Sequence, residues 1–129
     1  MFKALAAFSG LSVNDLDKAK EFYTGTLGLE LNDEKMGLQL QLPGGGKLFI
    51  YPKDDHQPAS YTVLNFVVEN IDEAVDELTS SGVSFEHYDN MEGNQDEKGV
   101  MRGIQASQGP DIAWFKDPAG NIISVLQDK

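Results

Sequence analysis

Apolar and polar positions along this chain change period, and the whole change then happens a second time. Residues 4–13 are mostly apolar, which suits a strand passing through a sheet. From there the apolar positions fall at Leu16, Ala19, Phe22, Tyr23 and Thr26, the spacing of one buried helical stripe. Asn14 or Asp15 is placed to cap that helix and Gly28 to end it. Extended runs follow near Glu30–Asp33, Leu38–Leu42 and Lys47–Tyr51, with Pro43-Gly44-Gly45-Gly46 as the turn before the last. The order is βαβββ.

The stretch Val13-Asn14-Asp15-Leu16-Asp17-Lys18-Ala19 returns as Val68-Glu69-Asn70-Ile71-Asp72-Glu73-Ala74, 55 positions later. A strand is predicted over Thr62–Val68 and a helix over Ile71–Ser80, with Ile71, Ala74, Val75 and Leu78 as its stripe. Asn70 and Glu73 have the spacing of a capping box, and Gly82 ends this helix 54 positions after Gly28. Further strands are expected near Val83–His87, Gly103–Ser107, Asp111–Lys116 and Asn121–Gln127. The fold class is therefore α+β, a single domain over 1–129. It is read as a first βαβββ module at 1–52, a polar linker at 53–60 and a second module at 61–129 with an insertion near 89–102. The modules are expected to form a curved mixed sheet around a cleft, with the insertion either a lid or rim to it or a passive surface insertion.

Composition narrows the chemistry. No apolar run approaches the ~20 residues of a membrane span, and the apolar start is read as a strand rather than a signal peptide. The absence of cysteine removes disulfides, thiolate nucleophiles and thiolate-bound metals. A formal net charge of −11 makes nucleic acid a poor partner and would attract a cationic ligand, while also keeping the chain solvated. A cytoplasmic location is expected.

Two motifs carry a resemblance. Val13-x-Asp15-Leu16-x-x-Ala19-x-x-Phe22-Tyr23-x-x-x-Leu27-Gly28 lies in the first module, and Asp117-Pro118-x-Gly120-Asn121 precedes the last strand of the second. With the repeated βαβββ order, they resemble the vicinal oxygen chelate superfamily, which includes glyoxalase I, extradiol dioxygenases, and fosfomycin- and bleomycin-resistance proteins. In its metal-using members the ligands come from the first and last strands of each module. The resemblance places those positions at Phe8, Phe49, Val63 and Ser124. Three of these side chains have no donor atom and a lone serine hydroxyl is a poor one, so neither a metal nor another cofactor is expected. His56, in the linker, and His87, near a strand end, are read as surface residues. Glu69, Asp72, Glu73, Asp76 and Glu77 are read as a solvated helix face, and Gly44-Gly45-Gly46 as a hairpin turn.

Because strand side chains alternate, steps of two extend the cleft set from these positions. Phe8 leads to Ala6, Gly10 and Ser12, and Phe49 to Tyr51. Val63 leads to Tyr61 and Asn65, and Ser124 to Ile122 and Leu126. The opposite parity holds Leu11, Val13, Leu48, Ile50, Leu64, Phe66, Val68, Ile123 and Val125, which should pack beneath the helices. The candidate ligand-binding residues are Phe8, Ser12, Phe49, Tyr51, Tyr61, Val63, Asn65, Trp114 and Ser124; the face on which Trp114 lies is not fixed by its sequence. No catalytic residue is assigned. The resemblance implies a metal-independent protein binding an aromatic or cationic small molecule, as bleomycin-resistance members do. Two other readings stand beside it: a metal-dependent lyase or dioxygenase with unusual ligands, and a structural or regulatory homodimer without a ligand. A homodimer is the expected assembly, with no nucleic-acid or membrane partner.

Overall fold

Two four-stranded mixed sheets are built on one plan. The computed structural model describes residues 1–88 and 95–129, which divide into the units Met1–Pro58 and Ala59–Lys129. The first unit runs β1 (Ser9–Val13), α1 (Leu16–Lys20, continuing as a π-type segment over Glu21–Thr26), β2 (Glu30–Asp33), β3 (Leu38–Gln41) and β4 (Lys47–Pro52). The second runs β5 (Thr62–Val67), α2 (Ile71–Ser80), β6 (Met101–Arg102), β7 (Asp111–Lys116) and β8 (Ile122–Gln127). The sheet orders are β1-β4-β3-β2 and β5-β8-β7-β6, so in each unit the first and last strands lie side by side in parallel. The remaining named pairs are antiparallel.

The sequence repeat is also a repeat of hydrogen bonds. Asp15 Oδ1 accepts from the amide of Lys18 and Asn70 Oδ1 from that of Glu73, both at 3.1 Å, so the two caps 55 positions apart do one job. Gly10 pairs with Phe49 and Asn65 with Ser124, which keeps the same offset in the first strands. The hairpins before the last strands also correspond. Gly46 O accepts from Leu42 N and Leu42 O from Gly45 N; Asn121 O accepts from Asp117 N and Asp117 O from Gly120 N. These turns stand 75 positions apart, so the second unit carries 20 extra residues between its helix cap and its last hairpin.

The helix ends explain why the glycines are 54 rather than 55 apart. In the second unit Gly82, at φ 97°, closes α2 with Val83 N bonding to Leu78 O and Gly82 N to Thr79 O, the paired bonds of a glycine C-terminal motif. In the first unit Gly28 takes φ 72°, but Leu29 N reaches back one residue further, to Tyr23 O. The first helix therefore holds one extra residue, absorbed as a π-type turn with Leu27 N bonding to Phe22 O.

Burial follows strand parity. Leu11, Val13, Leu38, Leu40, Leu48 and Ile50 are buried on the face that α1 covers, together with Ala19 and Tyr23 of the helix. Ile123, Val125, Ala113 and Phe115 are buried with Ile71 and Val75 in the second unit, while Leu64, Phe66 and Val68 are half-buried.

Several expected elements differ. The strand expected from Ala4 begins at Ser9, because β4 starts at Lys47 and its ladder with β1 runs out at the Ser9–Leu48 pair. Residues 83–87 form a single bridge, Phe85 to Phe115, rather than a strand. The strand expected over Gly103–Ser107 lies earlier, at Met101–Arg102. Gly103 instead sits where a Cβ would come within 2.4 Å of Pro110 O, and the chain turns there, with Gln108 N bonding back to Gly103 O. Of the insertion near 89–102, residues 89–94 lie outside the described residues.

Asp72 and Asp76 are not merely a solvated face. Arg102 of β6 makes two bonds to Asp72 (Nη1–Oδ2 3.1 Å, Nη2–Oδ1 2.8 Å) and two to Asp96 (Nε 3.0 Å and Nη2 2.8 Å, both to Oδ2), with Asp111 Oδ2 at 3.7 Å. Lys98 reaches both Asp72 and Asp76. This cluster ties the first turn of α2 to the 95–102 segment and to β7. The Arg102 hydrogen bonds, reinforced by Lys98, hold the Asp72 carboxyl down at about 2. Because that folded value lies below the unfolded ~3.9, its stabilisation is present above pH ~4 and is lost as pH falls towards 2. The carboxylate is half-exposed, so screening keeps the effect to about 1 kcal/mol or less. In urea titrations at pH 5 and pH 2.5, Asp72→Asn should remove part of the parent's acid destabilisation; an unchanged difference would mean the pair adds nothing net.

The last hairpin is locked from inside. Asp117 Oδ1 accepts from the amides of Ala119 (2.9 Å) and Asn121 (2.8 Å), and Oδ2 from Asn121 Nδ2 (2.9 Å), with both side chains buried. This half of the motif is thus a structural turn. Asp117→Ala leaves those donors unsatisfied and should cost ~2–3 kcal/mol in urea denaturation, whereas a loss below ~0.5 kcal/mol would show that water replaces the carboxylate.

Candidate functional site

With the apolar parity turned under the helices, the other face of each sheet carries the candidate residues. In the first unit Gly10 and Ser12 of β1 stand opposite Phe49 and Tyr51 of β4, and Gln39 of β3 flanks Phe49 on its other side. Phe49 and Tyr51 stack with ring centroids 6.0 Å apart at 19°, and Phe8 meets Phe49 edge-on at 6.5 Å and 80°. Phe8 and Tyr51 remain 66% and 38% exposed, so this is an aromatic shelf open to solvent. Gly37, at the end of the β2–β3 connection, makes room for it. A Cβ there would lie 2.9 Å from the Phe49 ring and 2.5 Å from Ile50 O.

One polar pair borders the shelf. Ser12 Oγ lies 2.6 Å from His56 Nδ1, although the two residues are 44 apart in sequence. The loop after β4 brings the imidazole there. Lys53 N bonds to Val13 O, continuing the strand pairing, and His56 N bonds to Lys53 O to close a turn. His56, read from sequence as a surface residue, is half-buried against the first strand.

In the second unit Asn65, Ser124 and Trp114 share one face, because Ser124 pairs with Asn65 on one side and with Trp114 on the other. That register fixes the parity of Trp114. The buried Ser124 hydroxyl donates to Asn65 Oδ1 at 2.5 Å. Tyr88 meets Trp114 edge-on at 5.8 Å and 71°. Its hydroxyl is buried without a hydrogen-bond partner among the described residues, and burial, aided by the Glu86 carboxylate, pushes the phenol up. Val63 sits in a bulge: Thr62 pairs with Ile122 and Leu64 with Ile123, so the alternation from Asn65 is broken before Tyr61. Tyr61 lies just outside β5 and is 70% exposed.

The structure thus groups Phe8, Ser12, Phe49 and Tyr51 on one sheet face, and Asn65, Trp114 and Ser124 on another. Sequence reasoning missed His56 and Tyr88. Neither carries a periodic signal: His56 is placed by a turn whose Lys53 bonds to Val13 of the first strand, and the Tyr88 amide bonds to the Gln95 side chain.

The residues at the family's ligand positions do not fit a divalent ion. Phe8, Phe49 and Val63 offer only hydrocarbon, and Ser124 Oγ is engaged with Asn65. Among the described residues no three His, Asp or Glu side chains converge in a way that could hold one. Also among them, no helix is long and apolar enough to cross a membrane.

Solved structures of similar fold include a glyoxalase-family protein from Bacillus anthracis, at 20% identity, with all of both chains covered and a TM-score of 0.66. An antibiotic-binding protein from a Streptomyces species shares 24% identity over 99% of this chain and 100% of its own, with a TM-score of 0.68. A genomically encoded fosfomycin resistance protein from Listeria monocytogenes shares 16% identity over 100% of this chain and 94% of its own, with a TM-score of 0.71. No protein of curated function matches the chain. Residues 5–125 match the profile of the Glyoxalase/Bleomycin resistance protein/Dioxygenase superfamily, and with the paired βαβββ units this establishes that the chain belongs to that superfamily.

Proposed function

We propose that the protein binds an aromatic small molecule on the shelf formed by Phe8, Phe49 and Tyr51, without a metal, and that a cationic ligand is favoured. The observation carrying this reading is the exposed aromatic cluster itself. Phe8 and Tyr51, each in contact with the half-buried Phe49, remain accessible on a face whose opposite side is a packed core. Aromatic faces attract cations as well as flat apolar surfaces, and a net charge of −11 raises the local concentration of cations. The likeness to an antibiotic-binding protein over nearly the whole of both chains supports a ligand-sequestering role, and the poor donor set supports metal independence.

Titrating aromatic cations into the parent and Phe49→Ala is the direct test. Loss of the ring should weaken binding about tenfold or more, since stacking and cation–π contacts contribute ~0.5–2 kcal/mol beyond the buried area. Raising salt should weaken the attraction in both proteins, and a chelator should change neither affinity nor melting temperature. Equal affinity in parent and mutant would remove the shelf as the site, and chelator-sensitive binding would restore the metal-dependent reading.

A homodimer without a ligand is the second reading. Met1, Phe2, Leu5 and Phe8 are all strongly exposed, an apolar concentration more typical of a surface that another chain covers than of free solvent contact. Sedimentation should then show a dimer at micromolar concentration that Phe2→Ser with Leu5→Ser dissociates. A monomeric parent would sink this reading and leave the ligand-binding one standing.

A further inference from the structure

We infer, on the reading of the aromatic shelf as a binding surface, that the side-chain amide of Gln39 is its specificity-determining group. It selects flat rings that carry a hydrogen-bond donor and acceptor side by side on one edge, as a lactam does.

Gln39 is the direct cross-strand partner of Phe49 in the β3–β4 ladder, so both side chains leave the sheet on the same face. Its neighbours Leu38 and Leu40 turn the other way, into the core. The Phe49 ring itself leans over β3. A Cβ at Gly37, two residues before Gln39 and of the same parity, would meet the ring's Cζ at 2.9 Å and its Cε1 at 3.1 Å. Positions two apart along a strand are separated by about 7 Å, so the Gln39 amide is within reach of a molecule lying against this ring. Gly10, on the other flank of Phe49, brings no side chain at all.

The other polar side chains of this face are already committed. Ser12 Oγ lies 2.6 Å from His56 Nδ1. Gln41 accepts from Asn32 Nδ2 at 3.2 Å and donates to Gly46 O at 3.1 Å, which ties it to the neighbouring strand and turn. Asp33, opposite Gln39 on β2, accepts from the Lys35 amide at 3.3 Å. Gln39 is half-buried, yet its amide has no hydrogen-bond partner among the described residues and is not sealed from solvent. Tyr51 offers a single hydroxyl. Gln39 offers a donor and an acceptor in one plane.

That pairing defines the ligand's edge. A primary amide holds its C=O and one N–H side by side, the arrangement by which Gln and Asn read the adjacent donor and acceptor of adenine. A lactam presents the complementary edge. A ring without it, seated on Phe49, covers the amide and leaves it unpaired, and a site built to make a hydrogen bond rejects analogues that lack the group. The overall charge of −11 draws cations to the whole surface without choosing between them. A neutral amide beside the ring does choose, and its choice is insensitive to salt.

The test compares 2-quinolinone with its N-methyl derivative, which keeps the ring and the carbonyl but loses the N–H. Each is titrated into the full-length parent, Gln39→Met, Gln39→Leu and Phe49→Ala at low and high salt. The parent should bind the N–H lactam about fivefold more tightly than the methylated one, the scale of the hydrogen bonding lost. Both Gln39 variants, which keep an apolar stem but no donor or acceptor, should bind the two lactams alike. Phe49→Ala should weaken both compounds. If the parent shows no preference, or the Gln39 variants keep it, this inference fails alone. If neither compound binds the parent, or Phe49→Ala binds as the parent does, the shelf reading fails and the inference falls with it.

Discussion

The parallel pairing of the first strand of each unit with its last governs the rest of the structure. Neighbouring parallel strands cannot be joined by a tight turn, so the chain must leave the sheet, cross over and return. Here a helix and two antiparallel strands make that crossing, and the helix lies on one face only. Apolar residues of one parity, such as Leu11, Val13, Leu48 and Ile50, are buried beneath it. A one-residue slip between β1 and β4 would turn Leu48 and Ile50 outward, so the core itself pins the register. The opposite face follows from the same constraint: Phe49 must lie beside Gly10, Tyr51 beside Ser12, and Ser124 beside Asn65.

One scaffold used twice has nevertheless given two different faces. Where the first unit has Gly10, Gln39 and Phe49, the second has Asn65, Trp114 and Ser124 at the equivalent ladder positions. Gly10 contributes no side chain next to Phe49, and Gly37 approaches its ring so closely that a Cβ would clash, so the half-buried phenyl sits between Phe8 and Tyr51. Asn65 instead fills the corresponding space and binds the Ser124 hydroxyl, leaving the indole of Trp114 paired with Tyr88. The first face is an exposed aromatic surface bordered by the Ser12–His56 pair. The second is a hydrogen-bonded polar pair beside an indole.

Much of the fold was legible because it rests on local chemistry. Cap residues, the glycine helix ends and the alternation of β1, β4 and β8 are short-range signals, and α2 spans the residues its stripe predicts. Even the 54-residue spacing of Gly28 and Gly82 had a structural meaning, the extra residue of a π-type turn. What was not legible depends on partners distant in sequence. β1 starts at Ser9 because β4 begins at Lys47, and the bulge at Val63 appears only in its register with β8. Residues 95–102 read from sequence only as part of an insertion, whereas Arg102 gathers Asp72, Asp96 and Asp111. His56 belongs to the same class, since its place beside Ser12 is set by the path of the loop after β4. The candidate site was therefore readable along its strands and hidden at its edges.

This division between faces bears on how such a chain acquires a function. Removing a buried Leu48 or Ile50 side chain would cost several kcal/mol, on the order of 2–5, so the helix-covered face is constrained by stability. Phe8 and Tyr51 contribute less to the core because they remain exposed, and each ~100 Å² of their surface covered by another molecule offers ~2.5 kcal/mol. On the proposed reading, exchanging donor side chains for rings at the first- and last-strand positions leaves the register intact while changing what the face attracts, from a cation held by lone pairs to a flat molecule held by area and π-electrons. Phe49 carries that exchange most clearly. Its neighbours along the strand, Leu48 and Ile50, are committed to the core, while its own ring lies on the opposite face against Phe8 and Tyr51.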